Sequence, residues 1–134
     1  MTDALIKDVL TRTRRIAVVG VSPNPARPSH YVAEYLVQKG YEVVPVNPAH
    51  AGKEVFGHKI VATLAEIDPP VQMVDIFRRS EDVPPVVDEA LAAFPELETI
   101  WMQMGITNAE AAAKAEARGV DVIQDRCPKV EIPR

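Results

Sequence analysis

The chain has 134 residues, 15 Lys and Arg against 19 Asp and Glu for a net charge of −4, with 47% hydrophobic and 5% aromatic residues. That length and apolar content let roughly two-thirds of the unfolded surface be buried in one core, so a disordered chain and a disulfide scaffold are excluded and a single domain over residues 1–134 is expected. Mild acidity and few aromatics exclude a nucleic-acid partner, which asks for a basic face or stacking rings, and a lone cysteine, Cys127, permits neither an internal disulfide nor a Cys-rich zinc site.

From Thr2 to Thr13, Leu5, Ile6, Val9 and Leu10 recur at helical spacing, with Thr2 as N-cap and Asp3 in the first turn. The same opening is acidic where a signal peptide is basic, and no later stretch approaches the ~20 apolar residues of a membrane span. A cytoplasmic protein without a membrane partner is therefore expected. Arg15 to Val19 is a short apolar run ending at Gly20, the pattern of a strand covered on both faces. After the loop from Val21 to Pro28, Ser29 is expected to cap a helix that runs to Lys39, buries Val32, Leu36 and Tyr35, and stops at Gly40. Tyr41 to Val46 reads as the second strand, ended by Asn47-Pro48. A turn at Ala51-Gly52 follows, then a short strand or bend at Val55-Phe56-Gly57 and a short helix from Thr63 to Ile67 with a Thr63/Glu66 capping box.

Pro69-Pro70 breaks the chain before a third strand, Val71 to Phe77. Ser80 or Asp82 is expected to cap the next helix, with Pro84 in its first turn and Val86, Val87, Ala90, Leu91 and Phe94 facing the core. Leu97 to Met102 is the fourth strand. Asn108 caps an alanine-rich helix over Ala109 to Arg118, closed by Gly119, and Val120 to Ile123 is the last strand. Strands alternating with helices predict an α/β fold: one doubly wound, Rossmann-like parallel sheet of about five strands. Such sheets bind ligands at the carboxyl ends of their strands, which directs attention to the residues after Val19, Val46, Ile76 and Met102.

After the first strand, Gly20 lets a ligand approach the backbone, Ser22 and Ser29 offer hydroxyls, and the helix start offers free N–H groups to an anion. Arg27 sits just before that helix start, where a cation is favourable only if an anion lies between them. The loop is not a dinucleotide fingerprint, because Ser22 and Pro25 stand where glycines are required and Asn47 where the ribose-reading acid belongs. His50 and Lys53 in the following loop are cations suited to a further phosphate on a ribose. No Gly-Lys-Ser/Thr phosphate loop occurs, so nucleotide hydrolysis is not indicated.

A set of motifs then stands in register: Gly20-Val21-Ser22-Pro23, Arg27-Pro28-Ser29-His30-Tyr31-Val32 with Tyr35-Leu36, Gly40-Tyr41, and Val44-Pro45-Val46-Asn47-Pro48. Val74-Asp75-Ile76-Phe77-Arg78, Trp101-Met102-Gln103-Met104-Gly105-Ile106 and Asp125-Arg126-Cys127 continue it. Together they resemble the small stand-alone CoA-binding proteins over about Ile16 to Glu131 and, more distantly, the N-terminal domain of the succinyl-CoA synthetase alpha subunit. The resemblance implies CoA or acyl-CoA as ligand, Gly20 and Ser22 in a phosphate-holding loop, His50 near a position that carries a basic residue, and Trp101, Met102 and Gln103 on a CoA-contacting strand end. The synthetase's second domain, with its phosphorylated histidine, has no counterpart in these residues, so binding is implied without ligation.

Three further features keep two readings each. Cys127 lies between Arg126 and Lys129, whose charges favour a thiolate, and is also an ordinary half-buried small residue. Trp101, Met102 and Met104 fit either core or an apolar slot for a pantetheine arm. Arg78 follows the third strand, where a phosphate or adenine would approach, although paired arginines are commonly a solvated face. His30, His50 and His58 lack the spacing of a metal site. The expected function is CoA or acyl-CoA binding without catalysis of its own, by Gly20, Ser22, Arg27, Ser29, Asn47, His50, Lys53, Arg78, Trp101, Met102 and Gln103. A small NAD(P)-dependent reductase and a nucleotide-sensing regulatory module are the alternatives. A monomer or weak homodimer is expected, since no heptad or large apolar surface is visible.

Overall fold

The structure, a computed structural model, describes residues 2–132. In chain order the elements are α1 (Thr2–Arg12), β1 (Arg15–Val19), α2 (Pro28–Gln38), β2 (Glu42–Val46), β3 (Glu54–Val55), β4 (His58–Lys59), β5 (Met73–Ile76), α3 (Val83–Ala93), β6 (Thr99–Met102), α4 (Ala109–Ala117), β7 (Asp121–Ile123) and α5 (Pro128–Glu131). Five of the strands form one parallel sheet in the order β2-β1-β5-β6-β7. The α/β, doubly wound architecture read from the sequence is the one observed. The chain goes outward from β1 to β2 and then returns to the other side of β1 for β5, so the switch in strand order falls between β1 and β5.

Alternation along each strand divides the core into two layers. Ala17, Val19, Val74, Ile76, Ile100 and Met102 face α3 and α4, where Val83, Val87, Ala90 and Ala115 close over them. Ile16, Val18, Met73 and Trp101 face the opposite way, under Ile6 and Val9 of α1 and Ala33 and Leu36 of α2. No helix among the described residues is long and apolar enough to cross a membrane.

Several element ends differ from the sequence reading. β2 starts at Glu42, not Tyr41: the Tyr41 N–H donates to the Leu36 carbonyl at 3.1 Å and closes α2, while the Glu42 N–H is the first to reach β1's side, at Arg14 O. The segment expected as a short helix is a single 3-10 turn over Leu64–Glu66, and the Glu66 carboxylate accepts from the Thr63 amide at 2.8 Å, so the box closes around one turn only. Asp82 occupies the N-cap position of α3, but neither its side chain nor that of Ser80 makes a capping bond. Ser80 Oγ accepts from the Thr107 N–H at 3.1 Å and the Asp82 carboxylate pairs with Arg79 at 3.0 Å. Asn108 does cap α4, accepting from the Ala111 N–H at 2.9 Å. The β3–β4 hairpin and α5 are elements of two and four residues, too short to show a period. The Thr2 side chain, read as a cap, lies outside the described side chains.

Candidate binding cleft

Three adjoining cavities open along the carboxyl edge of the sheet. The first, about 300 Å³, is lined by Gly20, Ser22, Arg27, Pro28, Ser29, Asn47, His50 and Phe77. The second, about 620 Å³, is bounded by Tyr31, Val32, Met104, Ile106, Cys127 and Val130, with Gln103 and Lys129 as its polar members; it shares Pro28 and Phe77 with the first. The third, about 740 Å³, lies between Arg27, Arg78 and Ile106 and again touches Phe77. Phe77 is the common wall, so the three are compartments of one cleft at the switch point.

The first compartment is built by a loop that polar side chains wire internally. The Ser22 N–H donates to Ser29 Oγ at 3.0 Å, the Asn24 N–H to Ser22 Oγ at 3.1 Å, and the Ala26 N–H to Asn24 Oδ1 at 3.0 Å. His30 Nδ1 lies 2.9 Å from the Ser22 carbonyl oxygen, and Asn47 Nδ2 donates to the Val21 carbonyl at 3.0 Å. Ser29 is therefore not the helix cap expected of it. The helix begins one residue earlier because Pro28 supplies the fixed φ of a first helical position, Arg27 occupies the cap position with no side-chain bond, and Ser29, 7% exposed, turns inward to hold Ser22. The Ser29 N–H has no acceptor among the described residues and faces the place where a helix start attracts anions.

The closeness expected of Gly20 is met by protein, not by open space. Gly20 has φ +97°, and a β-carbon there would collide with the Phe77 carbonyl oxygen. The Gly20 N–H donates to Val46 O at 2.7 Å and the Phe77 N–H to Val19 O at 2.8 Å, so the ends of β2, β1 and β5 are tied edge to edge beneath the cleft.

Positive charge lines the upper rim. Arg27 and Arg78 carry no ion pair among the described residues, whereas Arg79 beside them is paired with Asp82 at 3.0 Å. His50, in the turn after β2, faces the first compartment with a buried Nδ1 that has no hydrogen-bond partner among the described residues. A small pocket with an unsatisfied helix-start amide, a histidine and the unpaired Arg27, adjoined by a third compartment that adds Arg78, is suited to phosphate groups, and the largely apolar second compartment to a flexible, mostly hydrocarbon segment.

A family model described as a CoA binding domain matches residues 14–133. The chain belongs to that CoA-binding family. It is 44% identical over 127 residues to an uncharacterized protein of Bacillus subtilis, YneT, covering 95% of this chain and 91% of that one. Among solved structures it resembles "cell-free ID.343" from Thermus thermophilus, 37% identical, with 98% of this chain and 96% of the other covered and a TM-score of 0.90. A hypothetical protein from Pyrococcus horikoshii, 34% identical, superposes with a TM-score of 0.89 over 98% of this chain and 89% of its own.

Of the residues expected to hold the ligand, Gly20, Ser22, Arg27, Ser29, Asn47 and His50 come together in the first compartment, Arg78 lies in the third and Gln103 in the second. Lys53 is exposed at the start of the β3–β4 hairpin and lines none of the three. The side chains of Trp101 and Met102 are 0% exposed and point into opposite core layers, so they leave no apolar slot between them. Trp101 Nε1 donates to the Arg126 carbonyl at 2.8 Å. Of their neighbours Gln103 and Met104 reach the cleft.

The sequence reading passed over two residues as part of motifs. Phe77 is one, and its role as common wall depends on three loops meeting. Asp75 is the other: completely buried in β5, its carboxyl is pushed up to about 7 by burial, opposed by the hydrogen bond from Gln103. A single acid inside an apolar strand run is the signal that marked it.

Proposed function

We propose that this protein binds CoA or an acyl-CoA across the carboxyl edge of its sheet, as a single binding domain without catalysis of its own. In this reading the pyrophosphate lies against Ser22, the Ser29 amide and Arg27; the phosphate on the ribose lies toward His50 or Arg78; and the pantetheine arm runs past Phe77 into the compartment of Gln103, Met104 and Cys127. The observation that carries it is the join at Phe77: a cationic, amide-lined compartment opens directly into an apolar one, the order of chemistry along CoA. Membership of the CoA-binding family supports the same ligand.

The test is thermal unfolding of the protein with CoA, acetyl-CoA, NAD, NADP, ADP and ATP. A ligand at ~100 times its dissociation constant adds about 2.7 kcal/mol, a rise on the order of 10 °C for a domain of this size. CoA or acetyl-CoA is expected to give it and NAD not. Stabilisation by NAD or NADP alone would overturn the reading.

A further inference from the structure

Asp75 has no evident reason to be where it is. It stands in β5 between Val18 of β1 and Trp101 of β6, on the sheet face covered by α2, and is 0% exposed. A buried carboxyl is costly in either charge state unless its oxygens are bonded, and an apolar side chain would fill the same place. Among the described residues one bond compensates: Gln103 Nε2 donates to Asp75 Oδ1 at 2.6 Å, and Oδ2 is buried with no partner there. The titratable groups of the layer above are otherwise engaged or turned to the cleft. His30 bonds the Ser22 carbonyl, Lys129 lies over the Tyr31 ring, and Cys127 faces the second compartment.

Gln103 is the link to the ligand. It is 4% exposed, and that remnant lies in the wall of the second compartment. Alternation along the strand places it on the same sheet face as Trp101 and Asp75. A side-chain amide has one donor end and one acceptor end, and here the donor end is committed to Asp75. Oε1 accepts no hydrogen bond from any described residue, which leaves an acceptor of fixed direction in a mostly apolar wall whose other polar member, Lys129, is a donor only.

We propose that Asp75 is a positioning residue that orients the Gln103 amide, and that Gln103 Oε1 thereby selects ligands whose flexible arm carries an amide N–H. The proposal rests on the CoA reading and deepens it. Recognition of the arm is then set by one acceptor held from behind, while the nucleotide end is held by the first and third compartments.

The experiment compares two ligands by calorimetry: CoA, and adenosine 3′-phosphate 5′-diphosphate, which has the nucleotide end without the arm. Wild type is expected to bind CoA the more tightly. In Gln103→Met and Asp75→Val that preference should shrink at least fivefold, with the affinity for the armless nucleotide within twofold of wild type. Asp75→Asn should restore most of the preference, because its amide oxygen still accepts from Gln103. An unchanged preference in Gln103→Met and Asp75→Val overturns the proposal. So does a parallel loss of both ligands, which marks a purely structural role, and so does an Asp75→Asn variant as impaired as Asp75→Val. If wild type binds the nucleotide but gains nothing from the arm, this proposal fails and the nucleotide site stands. If wild type binds neither, the CoA reading fails with it.

Discussion

Gly20 and Phe77 meet backbone to backbone beneath the cleft: the space where any other residue at position 20 would carry its β-carbon is filled by the Phe77 carbonyl oxygen. Gly20→Ala combines that collision with a φ of +97°, which side chains rarely adopt. Because the atom in the way is backbone, relief requires parting the ends of β1 and β5. The variant is expected to lose about 2–4 kcal/mol, and urea unfolding measures it. A loss under about 1 kcal/mol would mean that the strand ends separate freely.

Ser29→Ala tests the loop rather than the helix. Alanine leaves the Ser22 N–H without its acceptor, at a cost of about 1–3 kcal/mol, and frees the loop that frames the first compartment. CoA affinity should fall by about tenfold or more while the helical circular dichroism is retained. Loss of helix content would show that Ser29 does serve as the cap.

Charge at the rim bears on the phosphate of the CoA ribose. Dephospho-CoA is expected to bind more weakly than CoA by about 1–3 kcal/mol, the range for a lost charge-assisted hydrogen bond. His50→Ala and Arg78→Ala, tested separately, identify which side chain supplies it, since in the responsible variant the two ligands bind alike, whereas Arg27→Ala should weaken both ligands together. Unliganded stability should stay within about 0.5 kcal/mol in Arg27→Ala, because the exposed side chain has no ion pair among the described residues to lose. Equal affinities of wild type for CoA and dephospho-CoA would place this phosphate in solvent.

The raised Asp75 carboxyl predicts a pH dependence with a definite sign. Between the ordinary value of 3.8 and the folded value of about 7 the native state keeps a proton that the unfolded chain releases. Its contribution is fully present below pH 4 and is lost as pH rises through 7. Between pH 5 and 8 the wild type should lose about 2–3 kcal/mol relative to Asp75→Asn, which does not titrate there. Parallel urea midpoints for the two proteins at pH 5, 6, 7 and 8 provide the check. A constant difference would mean that the carboxyl titrates as an exposed one does.

The sheet was legible because strands buried on both faces appear as unbroken apolar runs, as in Ile16 to Val19 and Ile100 to Met102, and because Gly40 and Gly119 close helices where the chain must turn back. Much of the first compartment's lining was legible too, since Gly20, Ser22, Arg27 and Ser29 lie close together in the chain. What failed was the allocation of single bonds. Ser29 satisfies a capping pattern, yet Pro28 starts the helix first and releases the hydroxyl for Ser22. Trp101 and Met102 sit at a strand end like lining residues, but alternation sends each into a packed layer. The pairing of Asp75 with Gln103 joins residues 28 apart in sequence across two strands, and only the parallel register of β5 and β6 brings them into contact.

The indole of Trp101 gives the molecule a built-in optical reporter. It is the chain's single tryptophan, fully buried, and its N–H is bonded to the Arg126 carbonyl, one residue from the Cys127 that walls the cleft. Emission from the folded protein therefore arises from one water-excluded site that senses the 126–131 segment directly. A ligand arm that shifts this segment changes the indole's hydrogen bond, so occupancy of the cleft can be followed by intrinsic fluorescence without attaching a dye.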